Sequence, residues 1–185
     1  MNYQQMDDLF DRLWPICRSI TGPGISQSLK IMQDFIPITI NEVPTGTEVF
    51  DWIVPQEWEL ERATLRTEDG EVILDTDISN IHVLNFSEPF SGVVTHQELE
   101  EHLYSNSSFP EAVPYVTSYY VPRWGLCISD KQRKSLRTDI NYVVDIKTKK
   151  FELKIDDGLI AIDGEKQLTK NIKCEISENS YPFFQ

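Results

Sequence analysis

The spacing of apolar positions along the chain changes period near residue 44. Over residues 7–18, Leu9, Phe10, Leu13, Ile16 and Cys17 recur at the three- and four-residue steps of one helical face. Asp7 and Asp8 suit the positive end of such a helix, and Pro15 kinks it or marks its effective end. Arg18-Ser19-Ile20-Thr21-Gly22-Pro23-Gly24 reads as a loop, by its glycines and proline. Ile25, Leu29, Met32 and Ile36 then align on a second helix, which Pro37 stops, and Ile38, Ile40 and Val43 open a strand.

Beyond Pro44 the pattern is that of β structure. Residues 49–54 and 63–66 read as short strands. Thr67-Glu68-Asp69-Gly70 is a hairpin turn returning through residues 72–74, and another strand is expected over 81–86. Thr95-His96-Gln97-Glu98 is a capping box that opens a short helix carrying Leu99 and Leu103. Residues 105–123, rich in Ser, Pro and Tyr, have no regular period and read as an ordered surface loop whose aromatics need burial. A strand over 124–128 and a second capping box, Ser129-Asp130-Lys131-Gln132, precede a helix to Leu136. A meander is expected after that: 140–146, a Lys-rich turn, 151–155, an Asp157-Gly158 turn, 159–162 and 172–176.

Composition narrows the class. A chain of 185 residues makes one domain, or one domain with a small subdomain. At 40% hydrophobic and 11% aromatic residues it carries enough apolar surface for a core. No apolar run approaches the roughly 20 residues that span a bilayer, and the first residues do not resemble a secretory signal, so a cytoplasmic protein is expected. The net charge of −13 is uneven: residues 1–125 hold 20 acidic and 6 basic side chains, residues 126–185 hold 10 and 11. A polyanionic front half repels phosphates and anionic headgroups, which argues against nucleic acid and membrane as partners. Cys17, Cys127 and Cys174 are odd in number and far apart, so they read as reduced thiols rather than a disulfide framework or a Cys-x-x-Cys metal site.

Candidate chemistry is sparse. The only histidines are His82, His96 and His102. His96 and His102 lie six residues apart, about 240° around a helix, and do not converge. The paired histidines at i and i+4 of a metalloprotease helix are absent, as is the Pro-Cys-x-x-Cys that would make His96-Gln97-Glu98 a deaminase signature. No Gly-x-Ser-x-Gly, Walker loop or Gly-x-Gly-x-x-Gly occurs. Spacing therefore assigns no catalytic and no metal-ligating residue. Two weaker signals remain. The Thr21–Gly24 loop offers backbone amides at a helix start with Arg18 close by, an arrangement that suits a carboxylate or phosphate, although an ordinary helix–loop–helix turn has the same residues. Phe50-Asp51-Trp52 and Tyr115-Val116-Thr117-Ser118-Tyr119-Tyr120 can form a sugar- or peptide-binding platform, or be buried as core.

Several segments taken together resemble a known family. They are residues 13–22 (Leu-Trp-Pro-Ile-Cys-Arg-Ser-Ile-Thr-Gly), residues 42–58 (Glu-Val-Pro-Thr-Gly-Thr-Glu-Val-Phe-Asp-Trp-Ile-Val-Pro-Gln-Glu-Trp), residues 82–87 (His-Val-Leu-Asn-Phe-Ser), residues 114–120 and Trp124-Gly125-Leu126-Cys127. In this order they resemble bacterial aminopeptidase-like proteins associated with polysaccharide biosynthesis, of the co-catalytic zinc exopeptidase clan, over about residues 9–136. The resemblance implies an α/β (or α+β) fold: a partial aminopeptidase-like α/β domain over 1–47 and 106–146, an inserted β-rich subdomain over 48–105 and a divergent β tail over 147–185. It implies zinc in the full-length family, yet the histidine, aspartate and glutamate ligands that follow the Trp-Gly-x-Cys region there have no counterpart here. The expectation is a front part of a zinc aminopeptidase-like protein that is catalytically incompetent as given, and itself without cofactor. The chain is otherwise an independent peptide- or sugar-binding accessory module, or a subunit completed in trans by a partner chain or oligomer. A ligand, whether a peptide, an amino acid or an amino sugar, is expected near Arg18, Thr21, Gly22, Tyr115, Tyr119 and Tyr120.

Overall fold

A computed structural model describes residues 2–152 and the backbone of residues 159–163. Helix α1 is Tyr3–Leu13, capped by Asn2, whose side chain accepts from the Gln5 amide while Gln5 reaches back to the Asn2 amide. It starts four residues before the expected position and stops ahead of Pro15, where the missing N–H ends the ladder. Helix α2, Pro23–Met32, has proline in its first turn, where no donor is lost. Strand β1 is Thr39–Val43, as expected. The single strand expected over 49–54 is instead a two-residue hairpin of β2 (Glu48–Val49) and β3 (Trp52–Ile53), because the chain reverses at Phe50, which takes a left-handed φ of 55°.

Strand β4, Glu57–Thr67, turns at Thr67–Gly70 into β5, Val72–Asp75. The strand expected over 81–86 is not one. It begins as a single 3-10 turn, Asn80–His82, after which Val83 bridges Leu126 and Asn85 bridges Thr117. Strand β6, Phe90–Thr95, was not anticipated. Helix α3, His96–Glu100, follows with the expected Thr95–Glu98 capping box closed in both directions. The expected strand over 124–128 narrows to β8, Leu126–Cys127, which runs parallel to β7, Leu103–Tyr104. Helix α4, Asp130–Lys134, is capped by the Ser129 hydroxyl, but the Gln132 side chain meets that hydroxyl rather than completing a box.

Strand β9, Asn141–Phe151, runs straight through the segment expected to be a Lys-rich turn. Tyr142, Val144 and Ile146 face the core, and Lys147 and Lys149 continue the outward alternation. It lies between β4 and β6 in an antiparallel sheet of order β5-β4-β9-β6. Residues 142–146 pair with residues 63–67 on one side and 90–94 on the other. Strand β10, Leu159–Asp163, pairs antiparallel with β1. The expected elements at 153–155 and 172–176 and the Asp157-Gly158 turn lie outside the described residues.

One extra residue sets which face of β4 is buried. Trp58 and Leu60 point to the core at even positions, Ala63, Leu65 and Thr67 at odd ones, and the register with β9 slips between Leu60 and Arg62. Glu61 is the bulged residue, and it turns to solvent to pair with Lys149. Above this face Phe86, Leu99, Leu103, Leu126 and Ile128 complete one core with the sheet. Arg133 ties α4 to α3 through Glu100 at 2.6 Å and to β7 through the Leu103 carbonyl at 2.9 Å.

Candidate functional site

The loop after α1 is the first component of the site, and its geometry comes from two close approaches. Gly22 adopts φ of 108°, and a Cβ there would stand 2.2 Å from the Trp58 carbonyl oxygen. At Gly24 a Cβ would stand 1.8 Å from the carbonyl oxygen of Cys17. Only glycine lets the loop and the start of α2 lie this close to β4 and to residue 17. Thr21, fully buried, donates its hydroxyl to the Gln56 carbonyl at 3.1 Å, and Ser19 donates to the Thr21 carbonyl.

Two asparagines span from the opposite wall. The Asn80 amide donates to the Pro15 carbonyl and the Asn85 amide to the Arg18 carbonyl, each at 3.2 Å. Asn85 is itself held through its backbone by Val116 and Ser118. Between these clamps lies a cavity of about 770 Å³, walled by residues 14–20, Ile25, residues 76–81, Val83, Asn85 and Tyr115. Its apolar lining includes five isoleucines, with the exposed Arg18 and Asp77 among its polar residues. The Arg18 guanidinium donates to the Leu13 carbonyl at 3.0 Å, while Asp77 meets Arg62 at 3.1 Å.

The six residues expected at a ligand site are thus split. Arg18 and Tyr115 line the cavity. Thr21 and Gly22 lie behind it and fasten the loop to β4. Tyr119 is turned inward: its ring meets Phe86 edge-on at 5.3 Å and its hydroxyl accepts from the Trp52 indole at 3.1 Å. Tyr120 packs edge-on against Tyr119 but remains 85% exposed. Trp52 and Tyr119 come together across 67 residues of sequence, apart from the cavity. Asn80 and Asn85 were missed by sequence reasoning. Asn85 sits within the motif at 82–87, but nothing in its spacing announces a clamp.

Burial raises the pKa of the Tyr115 hydroxyl, and the cysteine thiols of residues 17 and 127 add to this if ionised. Burial likewise raises Cys17, opposed by the Arg18 charge, and pushes Cys127 up to about 12. These thiols are protonated at neutral pH and are poor nucleophiles.

The zinc implied by the aminopeptidase resemblance does not fit the described residues. His82 is buried and its Nδ1–H donates to the Cys127 carbonyl at 2.9 Å. His102 donates to the Trp124 carbonyl at 3.0 Å and stacks on the Trp124 ring at 3.6 Å. His96 lies 3.7 Å from Glu100, beside the Arg133 pair. No group of three or more His, Cys, Asp or Glu side chains converges on a point among the described residues. Also among them, no helix is long and apolar enough to cross a membrane.

Similarity to known proteins agrees with the architecture. A curated Clostridium acetobutylicum protein, provisionally named a polysaccharide biosynthesis protein with aminopeptidase-like domain, is 34% identical over 174 residues. The match takes in 94% of this chain but 38% of that protein, so the chain spans little more than a third of its relative's length. A crystal structure provisionally described as a peptidase, also from Clostridium acetobutylicum, superposes with a TM-score of 0.76 at 35% identity. It covers 85% of this chain and 36% of that one. Residues 57–149, from the first residue of β4 to Lys149 near the end of β9, match the family model described as a domain of unknown function, DUF2172. With half of its length inside that match, the chain belongs to the DUF2172 family.

Proposed function

We propose that this chain supplies a ligand-recognising part of an aminopeptidase-like protein in the cytoplasm, and not its reaction centre. The observation that carries the reading is the cavity between residues 14–20 and 76–85, held by the Asn80 and Asn85 clamps with Arg18 at its side. Its chemistry suits a peptide or amino acid. The isoleucine lining takes an apolar side chain, and the Arg18 fork takes a carboxylate. An amino sugar bearing an acidic group satisfies the same pair of demands, and the provisional name of the Clostridium relative keeps that ligand class in view. Metal chemistry, where the relatives have it, belongs to residues other than those described.

Calorimetry with apolar dipeptides, on the native chain and on Arg18→Ala, tests the reading. A charge-assisted hydrogen bond contributes about 1.5–3 kcal/mol, so Arg18→Ala is expected to weaken binding by roughly tenfold or more. An unchanged affinity would remove Arg18, and with it the carboxylate half of the reading.

A further inference from the structure

Helix α1 has none of its side chains fully buried, although its apolar positions are well ordered into a face. Leu9 and Leu13 are half-buried. Tyr3, Met6, Phe10 and Trp14 form a second stripe beside them that faces outward, with Phe10 and Trp14 stacked at 5.6 Å. Phe10 is 61% and Trp14 71% exposed. An isolated helix of 11 residues is marginal in water, and its stability comes from burying such a face. A contiguous apolar strip of this kind on a folded protein marks a contact surface.

The charges beside the strip indicate what covers it. At 100° per residue Asp7 and Asp11 follow Trp14 around the helix and line one margin of the strip. Neither carboxylate has a cation beside it among the described residues. The only basic side chain of α1, Arg12, is turned away: it reaches Asp34 at 2.7 Å and lies over the Phe35 ring at 5.3 Å. Among the described residues the strip therefore presents bulky apolar groups with an acidic margin that no cation pairs. We propose that it is the seat of a cationic amphipathic helix from a partner protein, whose apolar residues cover Met6, Phe10 and Trp14 and whose Lys or Arg side chains meet Asp7 and Asp11.

Fluorescence anisotropy on the full chain tests this with three labelled 14-residue peptides: one of leucine and lysine in amphipathic order, one with glutamate for lysine, and one with serine for leucine. Saturable binding is expected for the Leu/Lys peptide alone, weakening as salt rises. Phe10→Asp and Trp14→Asp are expected to weaken it by about tenfold or more. These substitutions add negative charge, so attraction by charge alone would leave affinity unchanged or increase it, and that result overturns the proposal. So does equal binding of the Leu/Glu or Lys/Ser peptide, absence of binding, or a native chain that elutes as a dimer while Trp14→Asp elutes as a monomer. Both side chains lie outside the core, so the thermal midpoint of each variant is expected to stay at the native value. A drop there with binding retained also counts against the proposal.

Discussion

At the residue scale, several positions in this protein act as spacers and clamps. Gly22 is one of them. Its left-handed φ strains any other residue, and an added methyl would strike the Trp58 carbonyl. Gly22→Ala is expected to destabilise the fold by about 2 kcal/mol or more, read as a lowered urea midpoint at unchanged m-value. The buried thiols give a second prediction. Cys127 is raised to about 12, and Cys17 is raised in the same direction, mainly by burial. At pH 8 both are expected to resist an aromatic disulfide reagent in the native chain and to react readily in denaturant, as mapped by peptide mass spectrometry. The sign for stability follows. A thiol raised above its unfolded value of about 8.5 favours the native state below that pH, and this contribution is lost as pH rises toward the folded value. Alkaline loss of stability is expected to be shallower in Cys127→Ala.

At the scale of elements, the β4–β9 pair decides the fold, and it combines legible with illegible features. The alternation in residues 142–146 shows a half-buried strand in sequence. Its continuation to Phe151 is hidden by lysines, because Lys147 and Lys149 sit on the outward face where charge costs nothing, and a run of them looks like a turn. The bulge at Glu61 is hidden for the opposite reason. It makes two segments of one strand alternate out of phase, and only pairing with β9 shows that they are continuous. Deleting Glu61 restores simple alternation, which keeps Trp58, Leu60, Ala63 and Leu65 on one face in the same register with β9. The cooperative unfolding transition and near-ultraviolet circular dichroism are therefore expected to survive the deletion, with only the surface Glu61–Lys149 pair lost, and their loss would show that the extra residue does more than correct the register. The capping box at Thr95, by contrast, is legible because its hydrogen bonds connect residues three apart. The clamps at Asn80 and Asn85 reach across 65 and 67 residues, and no local pattern encodes that.

The neighbouring β4–β5 pair carries a charge effect. Arg62 on β4 holds Asp75 on β5 by two hydrogen bonds, the shorter at 2.6 Å, and this lowers the Asp75 pKa ahead of an opposing effect of burial. A carboxylate depressed in the folded state stabilises above its unfolded pKa of about 3.9, and the benefit is lost as pH falls through the folded value. Asp75→Asn is expected to lower stability at pH 7 and to make the difference between the pH 7 and pH 3 urea midpoints smaller than in the native chain.

At the scale of the whole molecule, the question is where any metal chemistry of the wider family would sit. The three histidines of the sequence are each committed elsewhere: to a strand carbonyl, to a tryptophan ring and its carbonyl, and to an acidic helix neighbour. Bringing His82 or His102 to zinc would break a hydrogen bond, and for His102 a ring stack, while His96 would have to leave Glu100, and two further ligands would still be needed. The proposed division of labour, recognition here and reaction elsewhere, therefore predicts zinc far below one equivalent per chain. Elemental mass spectrometry after chelator treatment and dialysis against zinc measures this directly. It also predicts no release of the amine from amino-acid anilides with zinc present, while the cavity still binds its ligand. Stoichiometric zinc would require the histidines to leave their partners, and Trp124 fluorescence, quenched or shifted as His102 departs, would report it. The two readouts separate a site assembled by rearrangement of these residues from one formed outside them: the first moves Trp124, the second leaves it unchanged.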